Sequence, residues 1–368
     1  MMSDLFSPAT IGSIETKNRI YMAPLTRSRA HNDTDVPSDL AIEYYAQRAS
    51  SGLIIAEATQ ISKMGKGYDM TPGIYSDEQV SKWKEITDAV HEKGGKIFLQ
   101  LWHVGRISHK DVLPDGKEPL APSAIKADTK VFVDGEQIPA SKPKAMSVDE
   151  IKQTVKDFGK AALNAKKAGF DGVEIHGANG YLLDQFFKDK TNKRDDEYGG
   201  SIENRTRILR EVIASVLDVF EPSQVGIRLS PTGNFNDISD SDPKATFSHV
   251  IDILNENKLG YLHIVERFPG MDVSNMDLKI LENLRAKWDG FYIANGDYDL
   301  TKATDAVKSG HADAITFGRP FIANPDLPKR LELGAPLNEP DQETFYGGGA
   351  EGYTDYPFLE EMDKEEAA

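Results

Sequence analysis

The chain has 368 residues, 39% hydrophobic and 28% charged, the balance of a globular chain with a core large enough to need no staples. It has no cysteine, which removes disulfides, thiolate nucleophiles, zinc–sulfur sites and protein-held iron–sulfur clusters. A net charge of -16 argues against nucleic acid or an anionic membrane as partner, since both need basic patches, but it leaves room for a phosphate held by a few local groups.

The N-terminus, MMSDLFSPATIG, lacks the apolar h-region of a secretory signal, and no later run approaches a membrane span. A cytoplasmic enzyme is expected. The first apolar run is RIYMAPLT (19–26), followed by GLIIAEAT (52–59). A helix is predicted over 76–95, opened by a Ser cap followed by acids and closed by Gly. The third run, KIFLQLWH (96–103), leads into an insertion over about 107–146. Within it, Asp-Gly between the alternating runs of KVFVDGEQI reads as a hairpin turn.

The next helix starts at the S-x-x-E capping box of SVDEIKQ and stops at a glycine. Run four is GVEIHGAN (172–179), and SIENRTRILREVIASVLDVF (201–220) reads as one helix. The remaining runs are VGIRLSP, YLHIVE, FYIANG and AITFGRPF. Helical patterns over 242–260, 277–290, 299–313 and 325–334 separate or follow them. The tail from 360 to 368 is an acidic end, expected to be solvated and disordered.

Several of the eight runs are continuously apolar, as strands buried on both faces should be. Eight alternating strand–helix units predict a single (β/α)8 TIM barrel spanning the chain. A doubly wound open sheet fits worse, because APLTRSRA stands where G-x-G-x-x-G would follow the first strand.

The active site of such a barrel lies at the C-terminal ends of its strands. IANGD and FGRPF end strands seven and eight, where this fold binds phosphate. Gly296 and Gly318 would expose backbone N–H groups there and Arg319 would add a cation; the plainer reading makes them turn residues. Asp297 must then point away. Arg228, inside the apolar GIRLS, is costly unless paired. It is either half of a buried ion pair or a fixed positive charge against an electron-rich ring such as a flavin, which becomes anionic when reduced. Gln100 is placed to offer its amide to the same ring.

In EIHGANGYLLDQF (174–186), His176 has three readings. It is a core residue, a metal ligand lacking partners nearby, or, with Asn179, one of two donors aimed at an oxygen where negative charge develops. Tyr181 would then be a proton donor suited to a carbanion.

These strings together resemble the Old Yellow Enzyme family of FMN-dependent ene-reductases over nearly the full length. The matching pieces are LFSPATIGSIETKNRIYMAPLTRSRA, QLWHVGRISH, EIHGANGYLLDQF, TNKRDDEYGGSIENRTRILREV and FGRPFIANPDLPKRL. The tail string FYGGGAEGYTDYPFL is similar to the bacterial branch that includes N-ethylmaleimide and pentaerythritol tetranitrate reductases. The resemblance implies FMN bound by Pro24, Leu25, Thr26, Ala58, Gln100, His176, Arg228, Asn295, Gly296, Gly318 and Arg319. It implies a substrate pocket of Tyr68, Trp102, His176, Asn179 and Tyr353, with Tyr181 as proton donor and no metal. Asn179 stands where many members of that branch carry a second histidine, which puts the preferred electrophile in doubt. Thr26 excludes the branch with a cysteine beside the flavin.

The expected reaction is ping-pong reduction of α,β-unsaturated carbonyls and nitroalkenes by NADPH or NADH, with nitrate esters and nitroaromatics as further substrates. The resemblance favours a monomer, with a dimer as the other option. The rival enzyme class is a flavin-free aldolase or isomerase acting on a phosphate substrate, which explains the glycine loops but finds no Schiff-base lysine or acid pair at the strand ends. A non-catalytic binding barrel leaves His176, Asn179 and Tyr181 without a purpose.

Overall fold

A computed structural model of the chain describes residues 4–268 and 274–361, so the acidic tail falls outside them from residue 362 onward. Eight short strands close into a barrel: β1 (Ile20–Met22), β2 (Ile54–Gln60), β3 (Ile97–Trp102), β4 (Gly172–Gly177), β5 (Val225–Leu229), β6 (Tyr261–Val265), β7 (Phe291–Asn295) and β8 (Ala314–Phe317). Each pairs in parallel with the next in sequence, and β8 returns to pair with β1. Closure leaves the barrel sheet without an edge and excludes the doubly wound alternative, which needs two.

The helices are α1 (Leu40–Gln47), α2 (Asp77–Glu92), α3 (Val148–Lys167), α4 (Leu182–Phe187), α5 (Ile202–Arg205), α6 (Arg207–Leu217), α7 (Pro243–Glu256), α8 (Asn275–Lys287), α9 (Leu300–Ser309), α10 (Arg319–Ala323) and α11 (Leu327–Leu333). Reciprocal capping boxes open α2 at Ser76 and Gln79, and α3 at Ser147 and Glu150. The helix expected over 201–220 is two. The break falls at Thr206, whose hydroxyl turns back to the Ile202 carbonyl at 2.8 Å and competes with the helical ladder. α1 carries no start signal in sequence: Asp39 makes no side-chain cap bond, and packing of Tyr44 and Tyr45 into the core holds this short helix in place.

A hairpin pairing Ala9–Ile11 with Ile14–Thr16 packs its isoleucines against Tyr21, Leu53, Ile55, Phe98, Tyr261, Ile293 and Ala314. These side chains lie at the strand starts, so the hairpin plugs the N-terminal end of the barrel and leaves the other end for chemistry. The fit is tight: a Cβ on Gly226 would come within 2.1 Å of the Tyr261 ring. The insertion hairpin pairs Lys130–Val133 with Glu136–Pro139. Asp134 and Gly135 turn it with φ of 51° and 79°, as a two-residue loop of primed type requires. Among the described residues no helix is long and apolar enough to cross a membrane, and no group of three His, Cys, Asp or Glu could hold a metal.

Candidate active site

Parallel pairing carries the polar residues of adjacent strands to one level. His176 on β4 stands beside Arg228 on β5, and Glu174 stands between Gln100 on β3 and Gly226. Inside the barrel, Gln100 donates its amide N–H to Glu174 at 2.7 Å. The other oxygen of Glu174 meets His263 Nδ1 at 2.8 Å, and His263 Nε2 meets Thr316 at 2.9 Å. Both Glu174 bonds are therefore taken. Arg228 instead donates to the Asn295 side-chain oxygen at 2.7 Å, and Asn295 donates in turn to the Thr316 carbonyl at 3.2 Å. The buried ion pair considered for Arg228 does not form among the described residues. Its Nε is buried without a partner.

β4 runs into a loop that places three more groups. Asn179 has a left-handed backbone, φ 61°, a conformation that asparagine tolerates better than most residues. Its N–H donates to Ser230 Oγ at 2.8 Å and its carbonyl accepts from Asn236 at 2.9 Å. One buried carboxylate, Asp184, accepts the Gly180 N–H at 2.9 Å and pairs with Lys188 at 3.1 Å. The loop is thus pinned from beneath, with Tyr181 at its end.

Tyr181, Trp102, His176 and Tyr68 form one aromatic cluster. Tyr181 meets Trp102 and His176 edge-on at 5.0 and 5.1 Å, and Trp102 stacks on Tyr68 at 5.9 Å. The Tyr68 and Tyr181 hydroxyls are 3.1 Å apart. Burial first, then the positive charge of Arg228 and the nearby His263 imidazole, hold the His176 imidazole well below its usual range, so it is neutral at pH 7. Burial pushes the Tyr181 hydroxyl up to about 12, against hydrogen bonds from Tyr68 and Asn236. The hydroxyl keeps its proton.

The remaining expected residues distribute unevenly. Pro24, Leu25 and Thr26 follow β1 half-buried, next to β8, since Ala23 donates to the Phe317 carbonyl at 3.0 Å. Ala58 lies where the register of β2 against β3 shifts, in one cluster with Trp102. A Cβ on Gly296 would stand 2.8 Å from the Arg267 backbone nitrogen, so this glycine is required by a close backbone approach. A Cβ on Gly318 would meet only Leu25, at 3.4 Å, so the protein leaves that backbone open; Arg319 beside it is exposed. Asp297 is exposed.

Tyr353 does not join the pocket. It is 1% exposed, stacked on Tyr44 at 4.1 Å and covered by Arg29 at 4.4 Å. The other tyrosine of that tail string, Tyr346, is 64% exposed, and a Cβ on Gly347 beside it would stand 3.2 Å from Met70, two residues after Tyr68. Sequence reading also passed over Glu174, His263, Asp184 and Asn236. The signal for the first two was the one applied to Arg228, an ionisable residue in an apolar run.

Four polar atoms around this pocket are buried with no partner among the described residues: His176 Nδ1, Asn179 Oδ1, Trp102 Nε1 and Arg228 Nε. Each orphan costs about 1–3 kcal/mol, so such a concentration marks a ligand site rather than a settled core. The donor set suits a flavin. Arg228 supplies a positive charge, the Gln100 amide is oriented by Glu174, and the β8 end leaves backbone open at Gly318.

Residues 4–338 match the NADH:flavin oxidoreductase / NADH oxidase family. The 12-oxophytodienoate reductase 1 of Oryza sativa subsp. japonica is 48% identical, the match covering 98% of this chain and 94% of the relative. A flavin oxidoreductase of Emericella nidulans is 43% identical, with 98% of each chain covered. The structure of morphinone reductase in complex with tetrahydroNAD superposes with a TM-score of 0.91 at 50% identity, covering 97% of this chain and 98% of that one. An Old Yellow Enzyme homologue from Zymomonas mobilis gives a TM-score of 0.92 at 44% identity, covering 97% and 100%. The flavin-free aldolase or isomerase reading falls away, and the chain belongs to the NADH:flavin oxidoreductase / NADH oxidase family, the FMN-dependent ene-reductases of Old Yellow Enzyme type.

Proposed function

We propose that the pocket binds an α,β-unsaturated carbonyl or nitroalkene by its oxygen, between His176 and Asn179, and reduces its carbon–carbon double bond at the expense of NAD(P)H. FMN held there would supply the hydride-transfer chemistry that links the nicotinamide to the alkene. Pro24, Leu25, Thr26, Ala58, Gln100 and Arg228 would hold its ring, and Asn295, Gly296, Gly318 and Arg319 its phosphate end. A structure of a relative with tetrahydroNAD bound supports a nicotinamide as donor.

The carrying observation is the pairing of a neutral, buried His176 with a strained, pinned Asn179 beside a tyrosine that retains its proton. A neutral imidazole N–H and an amide N–H2 polarise the substrate oxygen without protonating it, and they act in a site shielded from water. Charge is drawn from the β-carbon, which becomes electrophilic. As negative charge then develops at the α-carbon, Tyr181 passes its proton there, with the Tyr68 hydroxyl at 3.1 Å to support the phenolate. Trp102 and Tyr68 provide flat apolar surface for the substrate.

The test is Tyr181→Phe followed by stopped-flow in both half-reactions. Reduction of the flavin by NADPH should keep its rate, and reoxidation by cyclohexenone should slow by roughly 10²-fold or more, the usual size of a general-acid contribution. Equal losses in the two halves would remove Tyr181 from the proton step.

A further inference from the structure

Arg27 and Arg29 lie on the segment leaving β1 and are both buried. Neither points at the pocket. Arg27 donates to the carbonyls of Phe345 at 3.0 Å, Thr344 at 3.3 Å and Gly352 at 2.8 Å. Arg29 donates to the carbonyls of Gly349 at 3.0 Å, Thr344 at 3.0 Å and Glu351 at 3.2 Å. Gly347 N–H returns a bond to the Arg27 carbonyl at 2.9 Å. The two guanidiniums thus grip five carbonyls of the stretch 344–352. Arg29 also lies over Tyr353, which stacks on Tyr44, and Arg48 covers the far face of Tyr44 at 3.9 Å.

This stretch has little regular structure of its own. It contains Gly347, Gly348, Gly349 and Gly352, three of them with left-handed φ, and it forms no strand or α-helix. Glycines leave the most backbone freedom to be lost on ordering. Yet the stretch carries Tyr346, largely exposed, and a Cβ on its neighbour Gly347 would stand 3.2 Å from Met70, two residues after Tyr68, so the loop passes beside the Tyr68 side of the pocket.

We propose that Arg29, acting with Arg27, is a positioning residue for substrate selection: it fixes the 344–352 loop so that Tyr346 stands at the pocket mouth and sets which enones fit. The substrate part rests on the function proposed above; the clamp part does not. Arg29 is the residue to perturb, because Arg27 adjoins Thr26. In Arg29→Met the aliphatic stem still covers Tyr353 while every carbonyl bond is lost. In the FMN-loaded enzyme, amide hydrogen exchange over 345–352 should rise at least about tenfold, the equivalent of ~1.4 kcal/mol of lost local stability. KM for cyclohexenone should rise by about the same factor with kcat within roughly twofold, and the preference between cyclohexenone and a bulkier ring-substituted enone should weaken. Tyr346→Ala should reproduce the kinetic change, and the double variant should add nothing to it. Arg29→Lys, which keeps a cation over Tyr353 but reaches fewer carbonyls, should fall between parent and Met in every readout and covers the case in which Met does not fold. Unchanged exchange, or additive kinetics in the double variant, would overturn the proposal. An enzyme that reduces no enone at all would instead refute the function proposed above, while exchange would still report on the clamp.

Discussion

Two buried ionisable groups near the strand ends should tilt the stability of the protein in opposite directions over nearly the same pH range. Glu57 accepts the Arg27 N–H at 3.3 Å and the Tyr45 hydroxyl at 3.1 Å. Burial nonetheless outweighs these bonds and the charges of Arg27 and Arg29, and raises its carboxyl from 4.5 to about 7. Between those values the unfolded chain has lost the proton that the folded chain keeps, so stability falls as pH rises. The span of about 2.5 units at ~1.4 kcal/mol per unit is worth ~3 kcal/mol. His103 does the reverse. Burial lowers its imidazole from 6.5 to about 4, so the unfolded chain gains a proton that the folded chain refuses, and stability falls as pH drops through that window, again by ~3 kcal/mol. The parent should therefore show little net slope from these two groups between about pH 4.5 and 6.5, and single variants should expose them. Glu57→Gln should become more stable relative to the parent as pH rises from about 4.5 to 7, by ~3 kcal/mol in total. His103→Gln should become more stable relative to the parent as pH falls from about 6.5 to 4. The assay is urea unfolding of the FMN-loaded proteins at fixed ionic strength and fixed excess FMN, so that ligand linkage is constant. A Glu57→Gln difference that stays flat across the window would show that the two arginines keep Glu57 ionised, and the reasoning from burial would fail.

Asn179→Ala should lower kcat/KM for cyclohexenone by about 10²-fold, the usual loss of one donor to a developing oxyanion, and also relieve nothing in the backbone, since alanine tolerates φ 61° less well than asparagine; steady-state kinetics with FMN content checked by absorbance decides it. Tyr353→Ala should cost about 3–5 kcal/mol in denaturant unfolding, as loss of a core aromatic does, whereas Tyr353→Phe should be kinetically silent. A raised KM with unchanged stability in Tyr353→Ala would return that residue to the pocket.

Much of the site was visible in sequence because its chemistry is local. His176, Asn179 and Tyr181 occupy one strand end and its loop, and Trp102 sits at the end of β3. Arg228 announced itself as a charge in an apolar run, a placement that demands compensation wherever the chain folds. Glu174 in GVEIHG and His263 in YLHIVE carry the same signal. They satisfy each other across 89 residues of chain, which no short string displays. The tail illustrates the opposite case. FYGGGAEGYTDYPFL holds Tyr346 and Tyr353 seven positions apart, and nothing local says which faces the pocket. Two arginines more than 300 residues upstream seize the intervening carbonyls, and Tyr353 is buried against Tyr44 while Tyr346 stays exposed.

By itself the sequence determined the strand–helix alternation, the closure into eight units and the identity of the residues at most strand ends. Those follow from side-chain periodicity and from which residues tolerate burial, both properties of short segments. Only the tertiary structure decided that Arg228 pairs with Asn295 rather than a carboxylate, that the predicted helix over 201–220 breaks at Thr206, and that Tyr353 is buried in a stack on Tyr44. Each of these turns on competition among partners for a limited number of hydrogen bonds and a limited volume. That competition is settled only when distant segments are packed against one another.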